Sequence, residues 1–145
     1  MSWRDALGDT IKQVVPVGSR VTCDPPPTDT DEDFLVLIQK GKLTEFLAAV
    51  ATANFEQGGS DIPDEANVVP RDDRFFAFRR DEVNLIATMS ESFFRRFLAA
   101  THCAKRFNLL DKEDRIVLFQ AVLYGNIREP LPEITVPSLE EEIVF

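Results

Sequence analysis

The chain has 145 residues, 44% hydrophobic and 28% charged, the composition of one globular domain around one core. Its net charge of −9 argues against tight, sequence-independent binding to long nucleic acid, which depends on many phosphate contacts. No apolar run reaches the roughly 18 residues a membrane span needs, and the opening MSWRDALGDTIKQ carries acids and no apolar leader core, so a cytoplasmic setting is expected.

Trp3, Leu7 and Ile11 recur at helical spacing and predict a first helix over 3–12. Val14-Val15-Pro16-Val17 reads as a short strand, with Pro16 suited to an edge or strand end, and Gly18-Ser19 as the turn that closes it. Pro25-Pro26-Pro27 makes 20–30 a loop. Asp33–Ile38, DFLVLI, is the strongest strand signal in the chain, and Gly41 ends it. Thr44 is the expected cap of a helix to about 54, with Phe46, Leu47, Val50 and Ala51 on its apolar side.

The polar, Gly- and Pro-containing stretch 56–73 reads as a long loop, in which Gly58-Gly59-Ser60 is a minor phosphate-contact candidate. Residues 75–88 read as two strands joined near Arg80-Asp81. Ser90 or Ser92 caps a helix to about 107 that buries Phe93, Phe94, Phe97, Leu98, Thr101 and Ala104. Asp111 caps a last helix over 112–124 whose buried face is Ile116, Phe119, Val122 and Leu123, and Gly125 stops it. The first 126 residues are read as one domain mixing helices and strands, of α+β class. Residues 127–145, with three prolines and the ending LEEEIVF, are read as an extended acidic tail.

Cys23 and Cys103 are too few for a disulfide framework, and with His102 they are too few ligands for zinc. Charge is unevenly placed. The stretch 23–33 has five acids and no base, while 71–115 holds ten of the sixteen Lys and Arg residues. A cation can therefore sit at the acidic stretch with bases for phosphate supplied from the middle of the chain. Taken singly, Arg79-Arg80, Arg95-Arg96, Lys105, Arg106, Lys112 and Arg115 are read as solvated or salt-bridged bases.

The chemistry centres on Asp31-Glu32-Asp33 at the start of the apolar strand. Residues two apart on a strand share a face, so Asp31 and Asp33 project together and Glu32 points away. Two carboxylates beside apolar core are costly without a counter-charge, and a divalent cation such as Mg²⁺ supplies one, completed by water and phosphate oxygens. Gly18 lets backbone approach a phosphate, the Ser19 hydroxyl adds a donor, and Arg20 can neutralise phosphate charge.

Gly-Ser, a loop of about ten residues, and an Asp-x-Asp pair opening an apolar strand resemble the signature of the polymerase-beta-like nucleotidyltransferases in their minimal single-domain form. The stretches GSRVTCDPPPTDTDEDFLVL, RRDEVNLIAT and FLAATHCAKRFNLLDKEDRIVLFQAVLYG further resemble phage-encoded members, over about residues 14–126. The resemblance implies a small mixed sheet flanked by helices, and a Mg²⁺-dependent enzyme that moves a nucleoside monophosphate from a nucleoside triphosphate to an acceptor, whether RNA, protein or a small molecule. Asp31 and Asp33 would hold metal, and Gly18, Ser19 and Arg20 would hold the triphosphate. The superfamily places a third carboxylate on a neighbouring strand. Here Asn84 stands at that position, and Glu82 is the acid that alternation would put on the same face. The alternative implied by Asn84 is a catalytically degenerate relative that binds a host or partner protein.

Overall fold

The computed structural model describes residues 2–28, 31–57 and 75–124. In chain order these form α1 (Trp3–Leu7), a 3-10 turn (Gly8–Thr10), β1 (Ile11–Val17), α2 (Ser19–Thr22), β2 (Glu32–Ile38), α3 (Leu43–Thr52), β3 (Glu56–Gln57), β4 (Phe75–Arg80), β5 (Val83–Thr88), α4 (Glu91–Arg106) and α5 (Lys112–Tyr124). The strands make one mixed sheet in the order β1-β2-β5-β4-β3. Among the described strands only β2 with β5 is a parallel pair. The class is α+β, as expected.

β2 and β5 are buried on both faces, which explains why FLVLI and NLIAT are continuous apolar runs and do not alternate. On one face Val17, Leu35, Leu37 and Ile86 pack under α4 and α5, against Phe93, Phe94, Phe97, Phe119 and Leu123. On the other, Phe34, Val36, Ile38, Leu85 and Ala87 meet Phe46 and Val50 of α3 and Leu7 of α1. Phenylalanines join on both sides, with Phe97 lying 5.0 Å from Phe119 and Phe46 lying 5.8 Å from Phe78 between ring centres.

Several expected boundaries move. The first helix stops at Leu7, because Gly8 takes φ +54° and Ile11 pairs with Ile38 instead of extending the helical face. Tertiary pairing thus overrides local spacing. Pro16 does lie on an edge strand, where a missing N–H costs no ladder bond. Residues 19–22 are one helical turn and not loop, since the prolines begin only at 25. Thr44 does not cap α3. Lys42 holds the cap position without a side-chain bond, and the buried side is Phe46 and Val50, with Leu47 and Ala51 exposed. Glu56–Gln57, read as loop, forms a short edge strand on β4.

Ser90 caps α4 as expected, accepting from the Phe93 N–H at 3.0 Å, and Asp111 accepts from the Glu113 N–H at 3.0 Å before α5. Ile116 is half-buried. No helix among the described residues is long and apolar enough to cross a membrane. Gly58-Gly59-Ser60, Gly125 and the 127–145 tail lie outside the described residues.

Candidate functional site

β1 and β2 run antiparallel, so the end of β1 and the start of β2 are neighbours and Val17 pairs with Asp33. The next strand sets Asn84 beside Asp33, the following one sets Arg79 beside Asn84, and the short edge strand sets Glu56 beside Arg79. Val17, Asp33, Asn84, Arg79 and Glu56 therefore make one row across the sheet. Paired residues share a face, so the row lies on the side covered by α4 and α5. β2 brings Asp33 to this face, and Asp31 two residues earlier joins it.

The side chains converge as a hydrogen-bonded cluster. Asn84 Nδ2 donates to Asp33 Oδ1 at 3.0 Å and to Asp31 Oδ2 at 3.4 Å. Arg79 grips Asp31 with both ends of its fork, Nη1 to Oδ2 at 2.7 Å and Nη2 to Oδ1 at 3.2 Å, and Nη1 also reaches Asn84 Oδ1 at 3.4 Å. Asn84 is 6% exposed, whereas the Arg79 and Asp31 side chains are 31% and 35% exposed. The amide is fixed in the sheet, and the ion pair faces solvent.

Gly18 closes the other side. It has φ +84° and ψ −173°, a conformation open essentially to glycine alone. A Cβ at this position would overlap Asp33 Oδ2 and lie 3.0 Å from Asp33 Cβ. The bare backbone of Gly18 is thus what admits the Asp33 carboxylate. Ser19 opens α2 and is half-buried.

Two expected members, Arg20 and Glu82, make contacts elsewhere. Arg20 has contacts outside the carboxylate cluster. Its Nη1 lies 3.8 Å from Glu32 Oε1, and Nη2 donates to the Thr28 carbonyl at 3.4 Å. Glu82 precedes β5, in the two-residue turn where Asp81 has φ +53°, so strand alternation does not govern it. Its side chain is exposed, and its carbonyl accepts the Glu32 N–H at 2.8 Å. Glu82 therefore does not supply a third acid. Among the described residues no group of three or more His, Cys, Asp and Glu side chains is placed to hold a metal ion.

Arg79 is the member that sequence reasoning undervalued. Its signal was the hairpin. A two-residue turn at 81–82 pairs Arg80 with Val83 and so Arg79 with Asn84. Arg80 goes to the opposite face, donating to the Ala53 carbonyl at 3.0 Å and lying 5.0 Å over the Phe55 ring. Arg115, read as solvated, is 7% exposed. Its Nη1 donates to the Leu109 and Leu110 carbonyls at 2.8 and 2.9 Å and approaches Cys23 Sγ at 3.4 Å.

A separate depression of about 440 Å³ lies at the carboxyl ends of β2 and β5, lined by Lys12, Gln39, Lys40, Met89 and Glu91 among others. The acid cluster sits at the amino ends of the same strands, so the two features do not join. Within the depression, Lys12 and Glu91 already satisfy each other at 2.9 Å.

Compared with protein-family models, with curated proteins and with solved structures, the chain matches none.

Proposed function

We propose that Asp31, Asp33 and the Gly18-Ser19 turn form the nucleoside-triphosphate and Mg²⁺ site of a nucleotidyltransferase-like protein. The observation that carries this reading is the convergence of both carboxylates on a single nitrogen, Asn84 Nδ2, beside a backbone stripped of its side chain at Gly18. Both carboxylates accept from the same nitrogen, so they face one region at the start of β2 from which a cation can be held. The donors are hard oxygens, and one or two carboxylates are what Mg²⁺ takes when phosphates and water complete its shell. The residues present therefore fit the ion, with Asp31 and Asp33 as its holders. When bound, it would neutralise charge on the triphosphate.

The rest falls to the chain. Gly18 admits the Asp33 carboxylate against its backbone, and phosphate would be held at this Gly18-Ser19 turn, where the Ser19 hydroxyl is available to donate. Asn84, fixed between the strands, orients both carboxylates. A carboxylate of the pair would take the proton of an attacking acceptor hydroxyl as a nucleoside monophosphate is transferred and pyrophosphate leaves. The test is titration calorimetry with Mg²⁺ and a non-hydrolysable triphosphate, alongside transfer from an alpha-labelled triphosphate. Asp31→Ala with Asp33→Ala should abolish binding. Binding that survives the double substitution refutes the assignment.

A second reading is favoured by the Arg79 fork and by Asn84 in place of a third acid. In it the protein binds nucleotide without turnover and acts through a partner protein. Triphosphate binding with no label transferred to RNA, protein or small-molecule acceptors supports this reading over the first.

A further inference from the structure

We infer that Arg79 and a divalent cation exclude each other at Asp31, and that filling the cation position hands the Arg79 guanidinium to the triphosphate. The inference rests on the nucleotide and Mg²⁺ reading above and adds a ligand to that site. Both Asp31 oxygens already accept from the Arg79 fork, at 2.7 and 3.2 Å. A dication on the same carboxylate would sit within a few ångströms of a guanidinium, and like charges that close repel strongly even near a protein surface. One must yield, and the arginine is the mobile member. Its side chain is nearly one-third exposed, its stem is long, and its strand neighbours Asn84 and Glu56 keep it beside the site.

Once turned from Asp31, the guanidinium keeps Asn84 Oδ1 in reach and would meet a triphosphate extending across the row from the Gly18-Ser19 turn. Its planar fork matches phosphate oxygens as well as it matches a carboxylate. With Asn84 neutral, the cluster of Asp31, Asp33 and Arg79 carries a net −1, against −2 for the two carboxylates alone. Arg79 thereby relieves repulsion between the two carboxylates. The cost is weaker affinity for the metal on its own. Triphosphate would repay that cost, so metal and nucleotide should bind cooperatively.

The experiment is titration calorimetry of the full chain with Mn²⁺ alone, then with a non-hydrolysable triphosphate at saturating Mn²⁺, for wild type and Arg79→Gln. Removing the competitor should tighten Mn²⁺ alone by about 5-fold, the scale of an ion pair about one-third exposed. Removing the phosphate ligand should weaken the triphosphate by about 10-fold or more, the scale of a charge-assisted hydrogen bond. Opposite signs are the result expected. A merely structural arginine would lower both affinities together or leave both unchanged, and either result overturns the exchange. A wild type that binds neither ligand removes the nucleotide reading and the exchange with it. If Arg79→Gln does not fold, nitrogen NMR of the wild-type guanidinium, assigned with Arg79→Lys, takes its place. The Arg79 signal should shift on adding Mg²⁺ and again on adding triphosphate. A signal unmoved in protein that binds both overturns the proposal.

Discussion

At Gly18 the chain turns through φ +84° directly under the Asp33 carboxylate. Gly18→Ala therefore combines a glycine-only backbone with overlap onto Asp33. The expected loss is about 2–4 kcal/mol, read by urea denaturation. Glu91 presents a different residue-scale case. The hydrogen bond and charge of Lys12 hold its carboxyl below the ordinary value of 4.5. A depressed acid contributes stability above its unfolded value and loses it as pH falls through the folded one. Both side chains are 55% exposed, so salt should erode the effect. Lys12→Ala should move the Glu91 midpoint back up toward 4.5 in carboxyl carbon NMR at low salt.

Between elements, Arg115 ties the α4–α5 junction to the segment after α2. Its guanidinium satisfies the Leu109 and Leu110 carbonyls, while Asn108 and Asp24 exchange hydrogen bonds at 2.9 and 3.2 Å beside it. Arg115→Met keeps the stem and orphans those carbonyls, for an expected cost of about 2–3 kcal/mol in thermal or urea unfolding. The row across the sheet gives a second element-scale prediction. Asn84→Asp removes the amide donated to both carboxylates and adds a third acid beside Asp33. In EDTA the variant should lose about 2–3 kcal/mol. Millimolar Mg²⁺ should return part of that loss, seen as a melting temperature that rises with metal more than wild type does. The row was half legible. Asp33 is placed by its strand, and Arg79 opposite Asn84 follows from the tight turn, whereas Asp31, like Glu82, precedes its strand by one residue and is drawn in by Arg79 and Asn84. Glu82 misled because alternation was extended past the end of its strand.

Across the whole molecule, the sheet is held between two aromatic layers. Phe97 is 2% exposed and packs against Phe93 and Phe119, linking α4 to α5 above the central strands. Phe97→Ala should cost about 3–5 kcal/mol by urea denaturation, because the sheet beneath it leaves little room for collapse. This core was readable from the helical spacing of the phenylalanines, as were the Ser90 and Asp111 caps and the apolar strands. Those features depend on neighbours within a turn or a pleat, so the sequence by itself determines them. The strand order was not readable, because nothing local to β2 says that β5, some fifty residues on, will lie parallel beside it. That order is decided by burying both faces of β2 and β5 at once. It alone brings Asn84 to Asp33 and Arg79 to Asp31. The carboxylate pair thus belongs to the sequence. Its neutralisation by an arginine from the neighbouring hairpin belongs to the tertiary structure, because a buried-edge charge takes whichever partner the completed sheet sets within reach.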